Sequence, residues 1–422
     1  MQLLKSLLGR HTADELRARM ASKPGSTAPH IPGRSDTTDA AVQARWALFP
    51  GDAGAAQSAL LDAAPEASRE VYRRNIEHFV GTVKVPVGLA GPLRVNGVHA
   101  QGDYYVPLAT TEAALVASYS RGAVTITEAG GCAAAVLNEG VSRAPGFAFH
   151  SIAEAGHFVG WCMSSVDALR AAAERTTRHG RLSDVQCTIE GSTVYVAFEF
   201  TTGDAAGQNM VTIATDAICR HIEAHAPVTP RYYFLEANMS GDKKASHQSF
   251  LNVRGRKVTA EVLLPAALVQ SRLHATPQAF ADYWRMGAMG GVLSGTIGVQ
   301  GHFANGLAAL YIACGQDAAC VAESAVGTTR FEVREGGELY ASVTLPNVMV
   351  GTVGGGTTLP SQRACLAWLN LTGVNPANAL AEVAAGLVLA GEISITGALI
   401  AGHFARAHQT LARGTVPESA QS

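Results

Sequence analysis

Several short segments place reactive side chains among small residues. In EANMSGDKKASH, Asp242, Lys243 and Lys244 follow one another in a Gly/Ser loop after a strand-like run. Adjacent lysines beside a carboxylate are either a solvated turn or the means by which a held ammonium offsets a developing oxyanion. Residue types alone leave both open. YIACGQDAAC sets Asp317 in an otherwise small, apolar stretch. Burying an unpaired carboxylate is costly, so Asp317 must be paired or functional, or else cap a helix. In PLATTEAALVAS, Thr110 and Thr111 can cap a helix with Glu112 in its first turn. GTVGGGT carries Gly351, Gly354, Gly355 and Gly356 between a strand and a helix expected from Pro360 or Ser361. Glycines ahead of a helix N-terminus let backbone N–H groups face an anion. A plain tight turn explains one or two of them, so their density favours ligand approach.

Two histidine pairs read less sharply. HIEAH places His221 and His225 on one helix face around Glu223, but a metal needs a third ligand and nothing supplies one. Structural or solvated histidines are the expectation there, and no metal. His403 and His408 in AGHFARAHQTLARG fall on different faces, and a lone histidine on a late helix reads first as structural. No G-x-x-x-x-G-K-[ST], H-E-x-x-H or G-x-S-x-G motif occurs, and no G-x-G-x-x-G follows a strand. Any dinucleotide would bind by another route than the ordinary Rossmann loop.

The elements that must position these residues are bounded by composition. The 422 residues suffice for two or three domains. With 32 Lys+Arg against 34 Asp+Glu, there is no footprint for nucleic acid or an anionic membrane. Seven cysteines, an odd number without C-x-x-C spacing, read as buried free thiols in a reducing cytosol. The N-terminus lacks an apolar signal-peptide core, and the apolar stretch Leu380–Gly402 carries Glu382 and Glu392, which suits a buried helix better than a membrane span. A soluble cytoplasmic protein is expected. Glycine is in excess, 44 residues against a usual ~7%. Without a collagen-like period, these glycines serve turns, tight packing or ligand approach.

Residues 1–80 read as helical, with a loose Pro/Gly/Ser stretch around Lys23–Thr38. GTVKVPVGLAGPL reads as a strand that enters a loop at Gly and Pro. Residues 145–235 combine a helix over Ser165–Thr176, strand-like runs CTIEGSTVYVAFEF and RYYFLEAN, and a helix over Met210–His225. That pattern is a small α+β unit inserted in a larger domain. KVTAEVLLP and LYASVTLP alternate as strands beyond it.

Taken in order, GTVKVPVGLAGPL, PLATTEAALVAS, SRAP, GDAAGQNM, GDKKAS, IACGQDAA, GTVGGGT and AGEISITGALIAGHFARAH resemble the 3-hydroxy-3-methylglutaryl-coenzyme A reductase family in its class I-like, soluble form, over about residues 70–413. The resemblance implies an α+β fold: a helical N-terminal region (1–80), a large substrate-binding and catalytic domain with a central helix (81–144 and 236–422), and a small inserted ferredoxin-like NADP-binding domain (145–235). It implies Glu112 as a catalytic acid, Lys243 as the group that polarises the thioester carbonyl, and Asp317 as the hydrogen-bond partner of both. His408, rather than His403, would protonate the departing CoA thiolate. Arg143, Asp242, Lys244 and Asn305 would hold the substrate. Asp204, Gly207, Asn209 and Met210 match the cofactor motif, with Ala206 where the family has methionine, and Gly354, Gly355 and Gly356 line the same site.

The chemistry implied is a four-electron reduction of (S)-3-hydroxy-3-methylglutaryl-CoA to mevalonate and CoA through a hemithioacetal and mevaldehyde, consuming two NADPH. A buried Glu112 with a raised pKa would supply the second proton. Thr177 and Arg178 in TTRHGRL resemble the segment that meets the adenosine ribose. A hydroxyl and a guanidinium there favour the 2′-phosphate of NADPH over NADH. The family forms its sites between subunits, so a homodimer or dimer-based tetramer is implied. Two departures stand out: His78 replaces an asparagine in Glu77–Gly81, and Glu236 replaces a common serine. The regulatory serine of animal enzymes corresponds to Gly414. Alternatives are the same reaction run oxidatively in mevalonate catabolism, or a non-catalytic CoA or nucleotide sensor. The sensor would tolerate loss of Glu112, Lys243, Asp317 or His408, and all four are present.

Overall fold

The structure is a computed structural model that describes residues 9, 12–20, 30–50, 52–61 and 66–402. His403, His408 and Gly414 lie outside these residues. The described chain divides into two compact units, Met1–Lys84 and Val85–Ser422.

The first unit holds short helices at Ala13–Met20, Asp39–Trp46 and Gly54–Leu60 and a 3-10 segment at Glu66–Arg74. Its small core is Val42, Trp46 and Phe79. Arg45 is buried beside it, and its guanidinium donates to the carbonyls of Pro32, Gly33, Asp36 and Phe79. Those bonds offset the desolvation of the charge. His78 adopts φ +52, a left-handed conformation that asparagine enters with less cost than histidine.

The second unit is built on one mixed sheet. Its strands are β1 (Val87–Gly97), β2 (Gln101–Ala109), β3 (Cys132–Arg143), β4 (Gly146–Ala148), β5 (Arg181–Glu190), β6 (Thr193–Thr201), β7 (Tyr232–Phe234), β8 (Gly255–Leu264), β9 (Gly298–Val299), β10 (Gly327–Val333) and β11 (Leu339–Val348). The main path runs β7-β4-β6-β3-β8-β11-β10-β9, with β1 on β2 and β3, and β5 on β6. Strand β3 joins two regions. Its first part, Ala133–Gly140, pairs with β8, and its end, Val141–Arg143, pairs with β6. Arg143 is thereby delivered to the junction of the two.

Helices α1 (Leu115–Glu128), α2 (Ile152–Ser164), α3 (Val166–Glu174), α4 (Gln208–His225), α5 (Pro277–Ser294), α6 (Phe303–Ala313), α7 (Pro360–Trp368) and α8 (Pro376–Ile400) pack on this sheet. Helix α8 is long and apolar enough to cross a membrane, yet it is buried nearly all round as the core helix. Its Ala/Gly texture is a packing requirement: a Cβ on Gly122 of α1 would collide with the Ala390 backbone. Both of its carboxylates accept backbone N–H groups, although Glu382 does so through Oε2 alone. Glu382 accepts the backbone N–H groups of His99 and Ala100 at 2.8 and 2.7 Å. Glu392 accepts those of Gly301 and His302 at 2.7 and 2.8 Å and the Thr329 hydroxyl at 2.7 Å.

Three local expectations are corrected. Strand β1 does not stop at Gly91-Pro92; a register shift between Ala90 and Leu93 absorbs the proline, which has no N–H to donate. Helix α1 starts at Leu115 rather than after the threonines, because Ala114 takes φ +70 ahead of it. Residues Ile152–Ser164 form a separate helix, capped by the Ser151 hydroxyl, that accompanies α3.

Candidate active site

Lys243 and Asp317 are brought together from loops 74 positions apart. The Lys243 loop turns where Gly241 has φ +72 and Lys243 itself φ +56, and the Lys244 N–H closes the turn on the Gly241 carbonyl at 3.1 Å. A non-glycine residue in this region is held there by its surroundings. Asp317 caps a short 3-10 turn, Ala318–Cys320: its Oδ1 accepts the Ala319 N–H at 3.0 Å. Its Oδ2 lies 2.8 Å from Lys243 Nζ. Cap and ion pair are therefore one arrangement. The hydrogen bond that Lys243 donates to Asp317 raises the Lys243 pKa above the ordinary lysine value. Partial burial pushes Asp317 up, but the Lys243 hydrogen bond and the Ala319 N–H outweigh it and hold the carboxyl below the usual range.

Behind this pair runs a chain of alternating charges. Asp242 lies 2.9 Å from Arg143 and 2.8 Å from Arg254. Arg143 also meets Glu236 at 3.2 Å and donates to the Thr212 hydroxyl of α4 at 3.0 Å. Glu236 in turn accepts the Ser240 hydroxyl at 2.8 Å. Arg254 pairs with Glu323 at 2.6 Å, both fully buried. Lys244 is exposed and its ammonium donates to the Asp242 carbonyl at 2.9 Å. Sequence reading missed Arg254 and Glu323. Glu323 follows small and apolar residues in CVAES, but Arg254 in NVRGRK sits among other basic residues and carries no distinguishing signal.

Glu112 and Asn305 form a second pair. Asn305 Nδ2 lies 3.4 Å from Glu112 Oε1, and Thr110 Oγ1 accepts the Glu112 N–H at 3.0 Å. Glu112 stands on the loop before α1 and is exposed, which corrects the expectation of a buried acid. The physical reason is the late start of α1, which leaves Glu112 outside the packed turns. Asn305 belongs to the first turn of α6 and Asp317 follows its last; the 11 residues of that helix span about 16 Å. The two pairs stand at opposite ends of one helix, so the implied hydrogen bond between Asp317 and Glu112 is not formed within this chain: α6 lies between them.

The glycine-rich segments converge as well. The Thr352 N–H donates to the Asp204 carbonyl at 2.9 Å, and the Gly351 N–H to Gln316 Oε1 at 2.8 Å. Ala205 and Val353 form a parallel bridge. Gly356 lies against Gly315, so a Cβ on it would sit 2.6 Å from the Gly315 carbonyl oxygen. Gly354 and Gly355 take φ +75 and +54, and a Cβ on either would meet open space. Gly351 and Gly356 thus serve backbone contact, and Gly354 and Gly355 shape an open loop. Asp204 Oδ1 accepts the Ala377 N–H at the start of α8, at 3.1 Å. Gly207, at φ +80, begins α4 where a Cβ would strike Thr202. Exposed Asn209 and half-buried Met210 follow in the first turn. Met210 packs against Gly180, so the TTRHGRL loop lies against the GDAAGQNM segment. There Thr177 Oγ1 accepts the Gly180 N–H at 3.0 Å, and Arg178 is exposed. His221 and His225 stack on each other 4.1 Å apart.

The hydroxymethylglutaryl-coenzyme A reductase family model matches residues 41–413. The chain belongs to that family. It is 47% identical over 352 residues to the 3-hydroxy-3-methylglutaryl-coenzyme A reductase of Aeropyrum pernix, covering 82% of this chain and 83% of that protein. It is 42% identical to the reductase of Haloferax volcanii over 89% of this chain and 93% of the relative. Among solved structures, a class II reductase from Streptococcus pneumoniae bound to NADPH in open conformations superposes with a TM-score of 0.65 at 22% identity, covering 85% of this chain and 97% of that one. This likeness establishes the shared mixed α/β fold.

Proposed function

We infer that this member of the hydroxymethylglutaryl-coenzyme A reductase family reduces (S)-3-hydroxy-3-methylglutaryl-CoA to mevalonate and CoA with two NADPH. The observation that carries the reading is the Lys243 ammonium held 2.8 Å from Asp317 in a strained turn. An ammonium so placed offsets charge on a carbonyl oxygen as it becomes an alkoxide. Bound NADPH supplies hydride. The open glycine loop at Gly354 and Gly355, the α4 N-terminus at Gly207–Met210 and the exposed Arg178 suit its phosphates.

The balance is one thioester, two hydrides and two protons giving one alcohol and one thiol. Lys243 polarises the thioester carbonyl and stabilises the oxyanion of the hemithioacetal. Collapse breaks the C–S bond, and His408 protonates the thiolate. The second hydride reduces the aldehyde, with the proton drawn from Glu112. Lys244 and Arg143 meet the acyl carboxylate, while Asp242 and Asn305 orient the acyl group.

A homodimer or dimer-based tetramer suits the separation of the two pairs along α6. A second copy would bring its Glu112 end to this chain's Lys243 end. The exposed apolar side chains Met286, Met289, Val292 and Leu293 on α5 support such a partner surface. Residues 145–235 serve as the NADP-binding insertion and 81–144 with 236–422 as the catalytic domain. Seven free thiols support a reducing, cytoplasmic setting. The test is NADPH oxidation strictly dependent on the CoA thioester, with two equivalents consumed per mevalonate. Absence of dependence on that thioester would overturn the reading.

A further inference from the structure

Arg254 is fully buried, charged, and outside the motifs that carry the chemistry. It precedes β8 and lies between the Lys243 loop and the short helix, Val321–Ser324, that follows the Asp317 turn. Its Nη2 lies 2.8 Å from Asp242, the residue next to Lys243. Its Nη1 lies 2.6 Å from Glu323, six positions beyond Asp317 on the same turn-and-helix segment. Its backbone N–H donates to Asn347 Oδ1 at 2.9 Å, and the Asn347 carbonyl accepts the Ser324 hydroxyl at 2.7 Å, so the segment beside Glu323 is tied a second time. The guanidinium is a planar fork whose two ends are held at a fixed spacing.

We propose that Arg254 is a positioning residue that sets the Lys243–Asp317 distance by bridging Asp242 and Glu323. The proposal rests on the reductase reading for its consequence in turnover, though not for the geometry. Burial gives the fork its rigidity. Nη1 is hydrogen-bonded to Glu323 and Nη2 faces Asp242 as an ion pair, and with no water to compete these charges keep the loop and the short helix at their spacing. A lysine there offers one point charge and cannot hold both.

Three variants test this. Arg254→Met/Glu323→Met removes both buried charges together, which spares the fold the cost of one left unpaired. Arg254→Lys keeps the charge without the fork. Glu323→Gln keeps an acceptor for Nη1. The first two should lower kcat about tenfold with KM for the thioester changed less than threefold, while Glu323→Gln retains wild-type turnover. A second readout needs no turnover. The chain has six lysines, so the Lys243 titration can be followed by NMR of 13Cε-labelled lysine, assigned with Lys243→Ala. The groups facing Lys243 are Asp317, Asp242 and Cys320. The double variant and Arg254→Lys should shift the Lys243 midpoint toward the ordinary lysine value. Wild-type titration and kcat in both would overturn the proposal, and so would an equal loss in Glu323→Gln. If wild-type protein oxidises no NADPH with the thioester, the reductase reading fails, and the titration alone still decides this one.

Discussion

Lys243 Nζ and Asp317 Oδ2 are 2.8 Å apart, and the same carboxylate caps the turn that follows it. Removing the ammonium should therefore abolish chemistry while leaving the turn intact. Lys243→Ala is expected to lower kcat about a hundredfold or more at near-wild-type melting temperature. Steady-state kinetics and thermal unfolding check this; full turnover in the variant would take Lys243 out of the chemistry.

The pair also sets a pH dependence. Lys243 has a raised pKa, so its contribution is complete below about 10.4 and is lost as pH rises through the raised value. Asp317 has a lowered one, so its contribution is present above about 3.9 and is lost as pH falls through the lowered value. The pair is intact across neutral pH. Asp317→Asn should move the alkaline limb of the kcat profile to lower pH, and an unmoved limb would separate that limb from Lys243.

Cofactor choice is predicted at Arg178. Arg178→Ala should cut kcat/KM for NADPH by about 10- to 100-fold and leave NADH nearly unchanged, the loss of one charge-assisted contact to a 2′-phosphate. Equal losses for both cofactors would place Arg178 outside the ribose site.

Glu236 shares Arg143 with Asp242, so that guanidinium faces two carboxylates before substrate arrives. Glu236→Gln keeps the size and the Ser240 contact but removes one of those charges. The KM for the CoA thioester should fall several-fold. A KM that rises instead would show that Glu236 helps to build the pocket rather than to weaken its hold on the acyl carboxylate.

Glu392 anchors the loop that leads into Asn305. Burial pushes its pKa up, but hydrogen bonding from His302 and Thr329 outweighs this and holds it below the ordinary value. Glu392→Gln should destabilise by about 2–4 kcal/mol at neutral pH, since an amide nitrogen would then face those donors. By the sign of the shift, the wild-type advantage is present above about 4.3 and is lost as pH falls through the lowered value. Denaturant titrations at two pH values measure both.

The residue types in sequence determined the reactive groups and their ordering. Asp317 stands out because a charge in a small, apolar setting needs a reason, and GTVGGGT because repeated glycines permit close backbone approach, while Lys243 and Glu112 are marked by the motifs they share with the family. The glutamates at 382 and 392 already argued for a buried helix, and the two carboxylates now have their donors. Only tertiary structure decided which groups meet. Pairing of β3 with both β8 and β6 carries Arg143 to the Asp242 loop, and α6 holds Glu112 and Asp317 at opposite ends. The late start of α1 and the buried Arg254–Glu323 pair were invisible for the same reason. Local propensity does not report a left-handed Ala114, nor which distant carboxylate a buried guanidinium will find. Those outcomes depend on packing and desolvation, which the chain acquires only when it is folded.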